Sequence, residues 1–151
     1  MSNLKYKDGI IYNTKYILLP NYKAIMFFWF IFTKESPEEF DKIEIYHEQI
    51  HQMQYKYCIG IGFYLAIIIM FTMFALGIQS LWMIMLVLIP FVLYYVLYGL
   101  NFLALLIRYM NWGKAYKNIC FEKQAYALED EGVIVCQQRT PYVSLSWLKY
   151  L

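Results

Sequence analysis

The hydropathy pattern of the chain is dominated by one long stretch without a charged residue. From Tyr57 to Ile107 there is no Asp, Glu, Lys or Arg. A transmembrane helix needs about 20 predominantly apolar residues, so this stretch is long enough for two. It predicts a first span at residues 58–77, a second at 81–107 and a tight turn between them at 77–80.

Short apolar runs separated by turn residues precede this stretch. Asp8-Gly9 lies between Leu4–Lys7 and Ile10–Tyr12, and such a dipeptide between two apolar runs predicts a β-hairpin. Pro20-Asn21-Tyr22 is a second turn signal, which predicts that Tyr16–Leu19 pairs with the run that follows. The start of the chain is therefore expected to form β-hairpins.

The run that follows, Ala24–Phe32, is apolar and aromatic and is flanked by Lys23 and Lys34. It is too short to cross a bilayer as a helix. We expect one strand here, either buried or lying at the membrane interface. Edge pairing of this strand with the backbone of a substrate is one hypothesis for its role, and a plain core strand is the other.

Helices are predicted on both sides of the charge-free stretch. Ser36-Pro37-Glu38-Glu39 places a capping serine before a proline in the first turn and a glutamate at the third helical position, which is a capping box. The helix it begins is expected to reach residue 57. Beyond the stretch, Asn118 is a good N-cap for a helix over 119–130, and Gly132 is a suitable stop.

The composition indicates a membrane protein and argues against other classes. Hydrophobic residues make up 61% of the 151-residue chain and charged residues 16%, against about 25% charged residues in average globular proteins. The net charge of +2 and the lack of a basic stripe argue against nucleic-acid binding. The three cysteines have no C-x-x-C spacing and are interpreted as reduced packing thiols.

The positions of the basic residues predict an orientation in the membrane. All thirteen Lys and Arg residues lie outside the predicted spans, with Lys56 just before the first span and Arg108 just after the second. The positive-inside rule then places both termini in the cytoplasm. The sequence shows no cleavable signal peptide, and Trp147 and Tyr150 in the tail suit a membrane interface.

The two histidines of the chain both lie in His47-Glu48-Gln49-Ile50-His51. Residues four apart share a face of a helix, so both imidazoles can reach one metal ion, and imidazole nitrogen suits Zn²⁺. In the H-E-x-x-H motif the glutamate is the general base, which is the role predicted for Glu48. Gln54 falls on the same face and is a candidate hydrogen-bond partner of a ligand, or simply a polar residue near the membrane surface.

A catalytic zinc needs a third protein ligand, and with no further histidine we expect a carboxylate. Glu122 is the first candidate, because it lies in the predicted helix after the spans and the small Ala125 follows one turn later. Glu129 lies two turns beyond Glu122 on nearly the same face. It is expected to be solvated, to orient a ligand histidine, or to be the third ligand itself.

His47-Glu48-x-x-His51 followed by Glu122-x-x-Ala125 resembles the gluzincin arrangement, in which a glutamate on a later helix completes a zinc site. More narrowly, the chain resembles small bacterial membrane proteins of the metallopeptidase type. The resemblance implies Zn²⁺ and peptidase-like chemistry but no particular substrate. Many gluzincins stabilise the oxyanion with a separate histidine, which this chain lacks, so Tyr126 is the first candidate for that role.

Together these features predict an α+β membrane protein with a single metallopeptidase-like domain over residues 1–151. Its predicted parts are a β region at 1–35, the HExxH helix at 36–57, a transmembrane hairpin at 58–107, and a cytoplasmic third-ligand helix with the tail at 108–151.

The predicted function is zinc-dependent hydrolysis of peptide bonds at the cytoplasmic face of the bacterial inner membrane. The expected partners are the lipid bilayer and a peptide or protein substrate. An intramembrane site-2-type protease would need an aspartate in its later span, and residues 81–107 contain none. The alternative from another class is a membrane metal-binding or scaffold protein that performs no hydrolysis.

Overall fold

The computed structural model of the chain describes residues 5–7, 10–12, 23–36, 41–78, 81–129 and 145–151. Its elements in chain order are β1 (Lys5–Lys7), β2 (Ile10–Tyr12), β3 (Ala24–Phe27), β4 (Phe30–Thr33), α1 (Lys42–Ala75), a first 3₁₀ helix (Leu81–Leu88), α2 (Ile89–Tyr109), α3 (Trp112–Lys117), α4 (Cys120–Leu128) and a C-terminal 3₁₀ helix (Ser146–Tyr150). The described fold is mostly helical, with one small sheet.

The chain forms two compact units. The sheet unit comprises Met1–Met53 and Cys120–Leu151, and the hairpin unit comprises Gln54–Ile119. α1 begins in the first and ends in the second.

The described strands of the sheet unit form one sheet in the order β1-β2-β4-β3. β1 and β2 pair antiparallel, which confirms the hairpin predicted around Asp8-Gly9, and β2 pairs parallel with β4. Ile10, Tyr12 and Ile31 are buried together as a small core. The predicted strand at 16–19 lies outside the described residues.

Residues 24–32 do not form the single strand that the sequence predicted. They fold into an antiparallel hairpin of β3 and β4, with its turn at Phe28-Trp29. Phe28 adopts a φ of 54° to make this turn, a conformation that glycine or asparagine usually supplies. Because the run contains neither residue, its sequence gave no sign of a turn.

α1 begins later than predicted and continues further. It starts at Lys42, after Asp41, whose side chain accepts a hydrogen bond from the backbone N–H of Ile43 at 3.4 Å. Ser36 precedes the helix, and residues 37–39 of the predicted capping box lie outside the described residues. No break separates the motif helix from the first predicted span, since α1 is continuous to Ala75.

The hairpin unit contains most of the charge-free stretch. Two helical segments, Lys42–Ala75 and Met83–Tyr109, are long and apolar enough to cross a membrane by length and composition. A β-carbon on Gly62 would lie 2.5 Å from the Cα of Pro90, so α1 and α2 approach closely there. Pro90 stands in the first turn of α2, directly after the 3₁₀ helix, where its missing N–H does no harm.

The segment that follows α2 differs from the prediction at Asn118. Asn118 is the C-cap of α3 rather than the N-cap of the next helix, and its side-chain amide donates to the carbonyl of Lys114 at 2.8 Å. α4 ends at Leu128, and Gly132 lies outside the described residues. Trp147 is buried, with its ring 4.6 Å from that of Phe121, so the tail contributes this side chain to the core of the sheet unit.

Candidate metal centre

The two histidines lie one helical turn apart on α1, within the sheet unit. Their Nε2 atoms are 3.2 Å apart and their rings meet nearly edge to face, with centroids 4.9 Å apart. His51 is buried and His47 is half-buried. The helical spacing therefore brings both imidazoles to one point, as the sequence predicted.

Glu122 of α4 lies opposite this pair of imidazoles. Its Oε2 is 3.3 Å from His47 Nε2 and its Oε1 is 3.4 Å from His51 Nε2, and the residue is only 2% exposed. A buried carboxylate is costly unless positive charge or hydrogen bonds compensate it. The group of His47, His51 and Glu122 could hold a metal ion.

The packing around α4 explains why Glu122 reaches the histidines. Phe121 and Ala125 are fully buried on either side of it in sequence, and Trp147 packs against Phe121. The side chain of Gln124, also fully buried, donates a hydrogen bond to the hydroxyl of Ser146. The C-terminal 3₁₀ helix thus packs on α4 and fixes its position.

Glu129 contacts the other nitrogen of the His47 ring. Its Oε2 is 2.8 Å from His47 Nδ1. A carboxylate in this position fixes the tautomer and the direction of a ligand imidazole, since Nδ1–H donates to it and Nε2 remains a ligand. Of the alternatives that the sequence left open, this geometry favours Glu129 as the partner that orients His47.

The described contacts place the Glu48 carboxylate against strand β3. The backbone N–H of Met26 donates a hydrogen bond to it. Burial raises the pKa of Glu48, which lies ahead of the charge-free part of α1; the nearby imidazoles oppose this shift and the Glu122 carboxylate adds to it. Glu48 as a whole residue is only half-buried. The buried part is its carboxylate.

Two further contacts join the same face of α1 to the two ends of the β3–β4 hairpin. Lys23 Nζ is 2.7 Å from Glu44 Oε1, and Gln52 Nε2 donates to the carbonyl of Trp29 at 2.8 Å. Glu44, Glu48 and Gln52 follow one another at intervals of four residues, so they share one face of the helix. The sequence reasoning missed this row, although its spacing was visible.

Among the described strands β3 lies at the edge of the sheet, so the backbone of Met26 can donate to a side chain. Lys34 N–H donates to the carbonyl of Lys23, and the register pairs Met26 with Ile31. In an antiparallel ladder hydrogen-bonded pairs alternate with non-bonded ones, so the backbone groups of Met26 point away from β4. A substrate strand pairing at Met26, as the sequence suggested, would have to displace Glu48 from this N–H.

Tyr126 lies beside the histidines, and Gln54 is deeply buried. The Tyr126 ring is 4.7 Å from the His47 ring and the residue is 45% exposed. Burial raises the pKa of Tyr126, and the carboxylates of Glu122, Glu129 and Glu48 raise it further, so its hydroxyl stays a proton donor. Gln54 is fully buried on α1, and its role as a partner of a ligand stays a prediction.

Comparisons with protein-family models, with curated proteins and with solved structures give no match to this chain.

Proposed function

We propose that the protein is a zinc-dependent membrane metallopeptidase with His47, His51 and Glu122 as its metal ligands. The observation that carries the proposal is the spacing of their ligand atoms. His47 Nε2 and His51 Nε2 are 3.2 Å apart, one oxygen of the Glu122 carboxylate is 3.3 Å from His47 Nε2, and its other oxygen is 3.4 Å from His51 Nε2. One ligand atom from each of the three residues lies within 4.8 Å of the other two. A tetrahedral Zn²⁺ with bonds of about 2.0–2.1 Å separates its ligand atoms by about 3.3–3.4 Å.

The donor set also supports a catalytic rather than a structural zinc. Structural sites close all four positions, usually with several cysteines, whereas catalytic sites use three ligands such as two histidines and a glutamate. Of the cysteines, Cys58 and Cys120 are buried free thiols, and neither belongs to the group. When bound, Zn²⁺ supplies Lewis acidity that polarises a carbonyl and makes water a nucleophile near neutral pH.

The residues around the ligands divide the remaining work. Glu48 accepts a proton from the attacking water and passes it to the leaving amine. Burial raises the pKa of Glu48, which makes its carboxylate a stronger proton acceptor than that of a solvated glutamate. The hydroxyl of Tyr126 donates a hydrogen bond to the oxyanion, while Glu129 holds the His47 ring in place.

We further propose that α1 and α2 cross the bacterial inner membrane as a hairpin with both termini in the cytoplasm. The support is the length of the two apolar helices and the exclusion of all thirteen Lys and Arg from the charge-free stretch. Large apolar side chains on the outside of these helices, among them Ile68, Phe71 and Leu103, are 54–66% exposed. Such surfaces are normal against lipid but not against water.

The deciding experiment compares the wild type with Glu48→Gln after purification in detergent. Zinc content is measured by mass spectrometry, and hydrolysis by mass-spectrometric analysis of a mixed peptide library. We expect near-stoichiometric zinc in both proteins and a loss of hydrolysis in the variant of about 10²–10⁴-fold, the usual contribution of a general base. Glutamine keeps an oxygen that can accept from Met26 N–H, so the local fold is preserved.

One observation favours a second candidate, a membrane metal-binding protein without hydrolytic activity. Glu48 already has a structural partner, because its carboxylate accepts the Met26 N–H and joins α1 to β3. A wild type that holds stoichiometric zinc but cleaves no library peptide would favour this second function. A wild type that holds no zinc would contradict both.

A further inference from the structure

The outer face of the β3–β4 hairpin is apolar. The cross-strand pairs on this face are Ile25 with Phe32 and Phe27 with Phe30, and Phe27 is 52% exposed and Phe30 42%. The opposite face carries the buried Met26, Ile31 and Thr33. An antiparallel sheet that faces water on one side normally alternates apolar and polar residues, and this hairpin does not.

The turn of the hairpin concentrates aromatic side chains at one end. Trp29 is 45% exposed, and Phe28 holds a φ of 54°. A non-glycine residue in the left-handed region costs about 1–2 kcal/mol. Backbone strain of this kind is concentrated at functional sites, such as those that bind a ligand. Residues 27–30 therefore form an exposed aromatic tip.

Two contacts fix where this aromatic tip lies along α1. Lys23 at the open end of the hairpin pairs with Glu44 in the first turn of α1, and Trp29 at the tip accepts from Gln52. The β3–β4 hairpin thus runs alongside α1 in the direction of the charge-free stretch, which begins at Tyr57. At 1.5 Å per residue, Gln52 precedes Tyr57 by about 8 Å along the helix.

We propose that the aromatic tip docks into the interfacial layer of the bilayer. Tryptophan and phenylalanine side chains on an apolar surface favour this layer, which lies at the ends of transmembrane helices. A position about 8 Å before the apolar part of α1 is at headgroup depth. This inference rests on the proposed membrane location of α1 and not on peptidase activity.

Lipid contact at the tip also has a consequence for the site. The aromatic tip is bonded to α1 through Gln52, the residue after His51. Docking therefore sets the depth of the histidines near the membrane surface.

The test measures the depth of spin labels on the protein in lipid nanodiscs. Single cysteines replace Phe30 at the tip, Ile43 near the start of α1, and Ile68 in the apolar part of α1, in a background with the native cysteines changed to alanine. All three positions are exposed, at 42%, 43% and 60%. Ile43 is the matched control, because it is an exposed apolar residue of the same unit that lies about 14 Å before Gln52 along the helix.

We expect the ratio of oxygen to nickel-chelate accessibility at positions 30 and 68 to be several-fold higher than at position 43. A tip that matches position 43 while position 68 is in lipid would overturn the docking and leave the membrane location intact. Shielding of position 30 from both reagents would mean that protein covers it, which also overturns the docking. If position 68 is aqueous, the membrane location fails and the docking fails with it.

A second measurement needs no cysteine substitution. Tryptophan emission is recorded in nanodiscs with and without brominated lipid for the wild type, Trp29→Phe and Trp147→Phe. The emission lost on changing Trp29 should be emission that brominated lipid quenches, whereas the emission lost on changing the buried Trp147 should be unquenched. Trp82 and Trp112 remain in all three proteins, so each difference reports on one tryptophan. A Trp29 component quenched by aqueous iodide and not by brominated lipid would refute the docking.

Discussion

The two parts of α1 use the same helix in opposite ways. In the sheet unit, its side chains make specific polar contacts: His47 and His51 meet Glu122, and Gln52 donates to the turn carbonyl of Trp29. In the hairpin unit, the same helix shows apolar side chains such as Phe71, which is 66% exposed. The part of α1 in the sheet unit therefore depends on a few directed polar contacts. The part in the hairpin unit presents a uniform apolar surface, which suits a lipid environment.

This difference predicts how each part responds to substitution. A directed contact is lost completely when one partner changes, so changes in the sheet unit should remove chemistry. The hairpin unit depends on the close approach of backbones, so changes there should lower stability and leave the ligands in place. Four substitutions, three of them with a matched control, can break or sharpen this contrast.

The largest effect is expected for Glu122→Gln. The carboxylate is 2% exposed and touches both histidines, and an amide supplies no negative charge for a divalent ion. We expect zinc affinity to fall by more than about 100-fold, since partners outside the ligand set already contribute 10–100-fold. Competition with a chromophoric chelator measures the change. Glu44→Gln, the same change on the neighbouring face of α1, should leave affinity unaltered; equal affinity in Glu122→Gln and wild type would remove Glu122 from the ligand set.

A smaller loss is expected for Glu129→Gln. Its carboxylate lies 2.8 Å from His47 Nδ1, so in the proposed site it would orient a ligand without binding the metal. The expected weakening of zinc binding is about 10–100-fold, measured by the same competition. If Glu129→Gln lost as much affinity as Glu122→Gln, Glu129 would be a ligand and the assignment of its role would be wrong.

The sequence predicted the contacts that follow helical periodicity. His47 and His51 lie close together because residues four apart share a face of a helix. The charge-free stretch predicted the two long apolar helices. Glu122 could be proposed from the sequence because few carboxylates follow that stretch. Its contact with the histidines depends on the packing of Phe121 against Trp147, which no local pattern shows.

One error has an identifiable physical origin. The turn at Phe28-Trp29 was missed because residues 24–32 were judged from residue preference alone. Tertiary contacts outweigh such preferences by a kcal/mol or more. β3 and β4 pair because one face of the hairpin packs in the core with Ile31, and this pairing forces Phe28 into a conformation that its side chain disfavours.

In the hairpin unit, Gly62→Ala should destabilise the protein without removing zinc. The new β-carbon would lie 2.5 Å from the Cα of Pro90, so α1 and α2 must separate. Overpacking of this kind costs about 1–3 kcal/mol, which a thermal unfolding scan in detergent would register as a lower midpoint. Gly60→Ala is the control, because nothing lies within 4 Å of a β-carbon there. Loss of zinc from folded Gly62→Ala would contradict the contrast between the two parts of α1.

The smallest effect, and one of opposite sign, is expected for Phe28→Gly. Glycine accepts the φ of 54° and removes a strain of about 1–2 kcal/mol, while its greater freedom in the unfolded chain costs about 0.5–1 kcal/mol. The net gain of about 0.5–1 kcal/mol is a two- to fivefold shift in the unfolding equilibrium, which urea unfolding in detergent can resolve. Phe27→Gly should instead destabilise the protein, because Phe27 is in a regular strand paired with Phe30. The gain should appear in detergent alone if the aromatic tip docks in lipid, because in a bilayer the variant also loses an interfacial side chain. A gain of equal size in nanodiscs would mean that Phe28 contributes nothing to lipid contact.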